Sequence, residues 1–298
     1  MKAQANGIEI EYEDFGPKDA PPVLLIMGLG AQLTLWPMPM VDQLVERGYR
    51  VIRYDNRDVG LSTKFHDAEA PAMTAIVAAL MMGSKPDVPY LLDDMAADAV
   101  GLLDALGIAR AHVMGASMGG MIAQMVAALY PDRVLSLTSI MSTTGNPMLP
   151  PASPEAMAVL TTRPSGADEE AIVAHGVRAE KVIGSPGYPA DEDELTERVR
   201  AGFRRMHYPP GFARQMAAIV GSGDRRAALA TITAPTMVIH GADDPLVPPA
   251  GGRDTAATIP GARIVEIPGM GHNLPEALIG QVLDAFEQVA KTPLTAER

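Results

Sequence analysis

Seven short apolar or β-rich runs alternate with stretches of helical spacing, and this alternation constrains the chain more than any other feature. The runs are Ile8–Tyr12, Val23–Met27, Tyr49–Tyr54, Ala111–Met114, Leu135–Met141, Met237–His240 and Ile264–Ile267. Continuous apolar strands such as Val23–Met27 imply burial on both faces, as in a parallel sheet covered by helices. Helices are expected over Met38–Arg47, which stops at Gly48, and over Leu91–Leu106, which stops at Gly107. Two more are expected over Met118–Leu129, ending before Pro131, and Pro275–Val289, with proline in the first turn. Strand–helix–strand repetition predicts an α/β sandwich with a mostly parallel central sheet.

One stretch breaks the rhythm. Between about Gly145 and Arg226 the pattern is helical and proline-rich, with no convincing strand, and the alternation resumes at Met237. The expected organisation is a core in two parts, residues 1–144 and 228–298. A helical cap, residues 145–227, is expected over the carboxyl edge of the sheet, since so long a structureless loop would be unusual.

Gly115-Ala116-Ser117-Met118-Gly119 has the form G-x-S-x-G between the strand at Ala111–Met114 and the helix at Met118–Leu129. That setting is a sharp strand-to-helix turn that lifts the serine side chain above the sheet, with glycines where β-carbons would collide. A serine hydroxyl needs a base, and the base needs an orienting acid. Of the six histidines, His272 lies in the loop Gly269–Pro275 after the last strand and before the last helix, where it can reach the carboxyl edge. His112 sits too low on its strand and is expected to be packed or hydrogen-bonded; His240 is expected to be a structural turn residue. Asp243 and Asp244 follow the strand at Met237–His240. Asp244 is favoured as the orienter and Asp243 as a turn residue. The chain order Ser117, Asp244, His272 is the one expected of α/β-hydrolases.

An oxyanion hole needs two backbone N–H groups. Met118 supplies one by its place after the serine, and Leu29, in Met27-Gly28-Leu29-Gly30, is assigned the other. Gly28, Trp36, Met148 and His207 are candidate pocket residues. Met73, Met81, Met82, Met157, Met206 and Met216 suggest an adaptable apolar pocket, with core filling as the alternative reading. The pair Gly28-x-Gly30 does not make a dinucleotide loop, because Leu33 stands where the third glycine belongs. No P-loop, zinc-protease helix or calcium loop is seen, so no cofactor or metal is expected.

Composition narrows the partners. A formal charge of −12 disfavours nucleic acid. The absence of cysteine removes disulfides, thiolate metal sites and a cysteine nucleophile. The polar start Met1–Gly16 has no apolar signal core, and the low-polarity runs Ala72–Gly83 and Met118–Leu129 fall short of the ~20 residues that cross a bilayer. A cytoplasmic protein without a membrane partner is expected.

The residues match a known family. The chain resembles the α/β-hydrolase superfamily over nearly its whole length, and within it bacterial carboxylesterases similar to aclacinomycin methylesterase. The matching stretches are Leu24–Gly28, Val51–Ser62, His112–Gly120 and Ile267–His272. Two positions depart from many relatives: Met27 replaces a histidine before the oxyanion glycine, and Asp58 replaces a glycine. In this fold the Asp55–Ser62 segment is structural, which makes Arg57 and Asp58 expected loop braces. Serine at 117 argues against epoxide hydrolases and haloalkane dehalogenases of this fold, which use aspartate there. The resemblance implies cleavage of a small-molecule carboxylic ester with an apolar part through an acyl-enzyme. The same three residues could serve a lactonase, a carbon–carbon bond hydrolase or a perhydrolase, or persist in a ligand-binding receptor.

Overall fold

The computed structural model describes residues 1–162 and 164–292. Its strands are β1 (Lys2–Ala5), β2 (Ile8–Phe15), β3 (Pro22–Ile26), β4 (Arg50–Tyr54), β5 (Ala111–Ala116), β6 (Val134–Ile140), β7 (Thr236–Gly241) and β8 (Arg263–Ile267). They form one eight-stranded sheet in the order β1-β2-β4-β3-β5-β6-β7-β8. From β4 to β8 all pairings are parallel, whereas β2 runs antiparallel to both β1 and β4.

The helices are α1 (Met38–Glu46), α2 (Met73–Met81), α3 (Leu92–Ala105), α4 (Met118–Leu129), α5 (Pro154–Thr161), α6 (Glu169–Ile183), α7 (Glu192–Arg205), α8 (Pro209–Ser222), α9 (Arg226–Leu229), α10 (Pro249–Thr258) and α11 (Ile279–Ala290). The two-residue period of a strand divides the core. Leu24 and Ile26 of β3 join the cluster that α3 and α4 cover, while Val23 and Leu25 join the cluster that α1 and α11 cover. Burial on both faces is what a continuous apolar strand requires. Between β6 and β7 the chain is helical, with α5 to α8 inserted between core elements and α9 returning to the core cluster through Leu229.

Three elements carry little sequence signal. In β1, Lys-Ala-Gln-Ala has no apolar run, and its pairing with β2 depends on the left-handed turn Asn6-Gly7, φ 48° and 77°. The helix α10 contains Gly251 and Gly252, which disfavour helix. The α2 segment reads only as an apolar run. The expected helix from Pro275 is instead a short 3-10 turn, Glu276–Leu278, followed by α11. Among the described residues no helix is long and apolar enough to cross a membrane.

His112 shows how the β5–α11 side is filled. It is buried, its ring lies edge-on to Tyr49 and Phe286, and its Nδ1 is 2.8 Å from Ser136 Oγ. Burial lowers its pKa to about 4. An imidazole near 6.5 when unfolded and about 4 when folded contributes stability fully above pH about 6.5, progressively lost as pH falls towards 4. Lowering the pH from about 7 to about 5 should therefore cost wild type about 2 kcal/mol more than His112→Gln, by urea denaturation at each pH. Equal losses in the two proteins would contradict this account.

Candidate active site

Ser117 occupies a strained backbone conformation, φ 57° and ψ −122°, between β5 and α4. The turn closes only with glycine on both sides. A β-carbon on Gly115 would fall 2.0 Å from the Gly119 carbonyl oxygen, and one on Gly119 would fall 2.0 Å from that of Ile26. The Ser117 N–H donates to Ile140 O at 2.9 Å, tying the turn to the end of β6.

His272 and Asp244 arrive from the loops after β8 and β7. His272 Nε2 lies 2.9 Å from Ser117 Oγ, and its Nδ1 lies 2.7 Å from Asp244 Oδ2. An ionised carboxylate only accepts, so the Nδ1 proton faces Asp244 and Nε2 is free to accept from the serine hydroxyl. The other carboxylate oxygen, Oδ1, accepts from the Leu246 and Val247 N–H groups, each at 2.9 Å. His272 and Asp244 are buried, and Ser117 is half-buried. The structure thus brings together the three side chains singled out in the sequence.

Gly28 packs against the serine: a β-carbon there would lie 3.1 Å from Ser117 Cβ. The loop it opens is held at several points. Asn56 Nδ2 donates to Met27 O at 2.9 Å, and the Gly30 N–H donates to Gln215 Oε1 at 2.8 Å. Among the described residues no protein acceptor faces the Leu29 N–H between them. Met118 is the first residue of α4, where an N–H has no partner inside its own helix.

The other histidines and Asp243 have different partners. His240 is wholly buried, and its Nε2–H donates to Val247 O at 2.7 Å. Burial lowers its pKa, against the opposing effects of the Val247 carbonyl and Asp244. It supports the aspartate loop, and its Nε2 lies 3.6 Å from Asp244 Oδ2, beside the hydrogen-bond chain but not a member of it. Asp243 Oδ2 accepts from the Gly269 N–H at 2.7 Å, a turn brace.

Several expected pocket residues lie elsewhere. Trp36 has no exposed surface and sits in the core cluster with Met40 and Leu44. A pocket wall must meet solvent when empty, so Trp36 is a core anchor. Met148, Met81 and Met82 project into solvent, 85 %, 84 % and 77 % exposed, and do not form an apolar pocket. His207 is exposed just after α7, against Phe203 at 5.2 Å between ring centroids. An open groove of about 610 Å³ among α5, α6 and α7, lined by Val173, Val177, Lys181 and Glu192, includes none of the three central side chains. Two pairs of its rim charges meet, Lys181 with Glu192 at 2.8 Å and Arg200 with Glu170 at 3.3 Å. Among the described residues no group of three or more His, Asp or Glu side chains could hold a metal ion.

The Asp55–Ser62 segment, with Arg57 and Asp58 as the expected braces, fastens this edge to α3 and to the cap. Asp55 accepts from the Leu33 N–H, the Leu61 N–H and the Arg205 guanidinium, at 2.7, 2.8 and 2.8 Å. Asp58, at φ 69°, forms a two-pronged pair with Arg214 of α8, both contacts 2.8 Å, and accepts from Tyr90 Oη at 2.7 Å. Burial pushes the Asp58 carboxyl up, but the bonds from Arg214, Phe65 and Tyr90 outweigh it and hold it below its usual range. Arg57 pairs with Asp98 of α3, both contacts 2.6 Å. Gln215 bridges Gly30 to Arg57 O, and Phe212 lies over Gly30, where a β-carbon would come within 2.8 Å of the ring. These partners are far away in sequence, and only the fold reveals them.

The alpha/beta hydrolase fold family matches residues 21–276. The chain belongs to the α/β-hydrolase family. Among relatives of this α/β-hydrolase, rhodomycin D methylesterase from Streptomyces sp. (strain C5) is 34 % identical over 284 residues, 88 % of each chain. The rhodomycin D methylesterase of Streptomyces peucetius is 33 % identical over 283 residues, again 88 % of each. The crystal structure of the enol-lactonase from Burkholderia xenovorans LB400 superimposes with a TM-score of 0.69 at 27 % identity, covering 98 % of both chains.

The Asp58–Arg214 pair generates a stability test. Both side chains are at most 3 % exposed. Arg214→Ala strands a buried carboxylate and should cost about 3–5 kcal/mol in urea unfolding. A loss under about 1 kcal/mol, typical of an exposed pair, would contradict a buried anchor.

Proposed function

We propose that this α/β-hydrolase cleaves carboxylic esters of small molecules by two-step acyl transfer, with Ser117 as nucleophile, His272 as general base and Asp244 as its orienter. The observation that carries the reading is the continuous hydrogen-bond chain from Ser117 Oγ through the imidazole to Asp244, at 2.9 and 2.7 Å. Ser117 Oγ attacks the ester carbonyl as its proton passes to His272 Nε2. The carbonyl oxygen becomes an oxyanion facing the N–H groups of Leu29 and Met118. The tetrahedral intermediate collapses, the C–O bond to the alcohol breaks, and His272 returns the proton to the departing oxygen. Water then loses a proton to His272, attacks the acyl-enzyme, and leaves the acid and a reprotonated Ser117. Asp244 holds the tautomer that makes Nε2 the acceptor and balances the imidazolium. The steps need no metal or organic cofactor.

Residues 1–144 and 228–298 form the hydrolase core, and 145–227 the cap that bounds the substrate site. The likeness to two methylesterases makes a methyl ester the first substrate to test. A lactone follows the same steps with the alcohol still tethered, a second reading favoured by the likeness to an enol-lactonase. We place the enzyme in the cytoplasm, acting without nucleic acid or membrane.

Ser117→Ala and Asp244→Asn should each lower kcat on a methyl or p-nitrophenyl ester by on the order of 10⁴-fold. Initial rates on an ester and lactone panel, with Ser117→Ala as control, also set the preferred substrate class. Turnover by Ser117→Ala within about tenfold of wild type would overturn the assignment.

A further inference from the structure

We propose that Ser185, in the cap segment that follows α6, is a positioning residue for His272. The proposal rests on the reading of His272 as the general base. Three consecutive residues of the histidine loop, Gly271 to Asn273, are bonded to two residues of the cap, Ile183 and Ser185. The Gly271 N–H donates to Ser185 Oγ at 2.9 Å, and the His272 N–H donates to Ile183 O at 2.7 Å. The Ser185 hydroxyl donates onward to Asn273 Oδ1 at 2.5 Å. One hydroxyl therefore accepts from the residue before His272 and donates to the residue after it, using both of its capacities. Ser185 is 4 % exposed, so water does not readily replace these bonds.

The contact is also too close for side chains. A β-carbon on Gly271 would fall 2.2 Å from the Gly184 carbonyl oxygen, and one on Gly187 would fall 2.8 Å from Gly269 Cα. The Gly187 N–H donates to Gly269 O at 2.9 Å. Backbone thus lies on backbone along 183–187 and 269–273.

The two halves of the loop are held differently. Its first half is tied to the core as well as to Gly187: the Met270 N–H donates to Ile267 O at 3.3 Å, and the Asp243 N–H donates to Met270 O at 3.0 Å. The half that carries the imidazole is tied to the cap. Asp244 governs the ring's tautomer through Nδ1, whereas Ser185 governs where the Cα of His272 stands. A displacement of about 1 Å at a proton-transfer group is enough to slow turnover about 100-fold without weakening substrate binding.

Ser185→Ala should lower kcat per titrated active site by roughly 10- to 100-fold, with KM changed by less than about threefold. The low-field proton resonance of the His272–Asp244 hydrogen bond should broaden or vanish. Ser185→Thr keeps the hydroxyl and should recover most of kcat and the resonance. If Ser185→Ala folds poorly, Asn273→Ala removes the acceptor alone and should move kcat and the resonance in the same direction. Asp168→Ala removes the cap of the same helix at its far end, where Asp168 Oδ1 accepts from the Ala171 N–H at 2.9 Å. It should lower the Tm and leave kcat per site unchanged. Wild-type kcat and an intact resonance in Ser185→Ala, or an equal kcat loss in Asp168→Ala, overturn the proposal. Ser117→Ala keeps the two failures apart. If it is inactive while Ser185→Ala is normal, only this inference falls; if it is active, the parent reading falls.

Discussion

An imidazole bridging a hydroxyl and a carboxylate is the interaction on which the rest depends. Its three members come from loops after β5, β7 and β8, and each is fixed by bonds beyond the strand that delivers it. Ser117 is bonded to β6, Asp244 to the amides of Leu246 and Val247, and His272 to both. A parallel sheet makes this convergence possible, because it brings all of its carboxyl ends to one edge. The strain stored at Ser117 is offset by the packing around Gly115 and Gly119, which have no room for side chains.

The cap does more than cover that edge. It reaches the loop after β3 through Gln215 and Gln32, and it reaches the histidine loop through Ile183 and Ser185. Two buried carboxylates, Asp55 and Asp58, receive arginines from α7 and α8. Such charges are costly to bury unless paired, so the core is incomplete until the cap is docked. In this arrangement the insertion is part of the machinery's support.

Sequence reading recovers what obeys local rules. Continuous apolar strands, glycine after helices, and a serine flanked by glycines between strand and helix locate β3 to β8, α1, α3, α4 and the three central side chains. The histidine loop and the aspartate loop are legible because each follows a strand, and because the chain has only six histidines to weigh. What escapes is set by distant partners. Trp36 looks like a pocket wall because it follows the glycine loop after β3, yet the cluster of α1 and α11 encloses it completely. Met148 looks like lining and stands in solvent. Asp58 breaks the glycine pattern at a left-handed position because its carboxylate pairs with Arg214, 156 residues away. Ser185 and Gln215 have no motif around them, and their importance lies wholly in what they touch.

The most direct test of the central claim is to treat the protein with a fluorophosphonate and map the adduct by peptide mass spectrometry. A nucleophile activated by the imidazole should take up one phosphonyl group per chain, on the peptide containing Ser117, with labelling largely abolished in His272→Ala. Labelling at another serine, or ester turnover that survives complete phosphonylation of Ser117, would contradict the account.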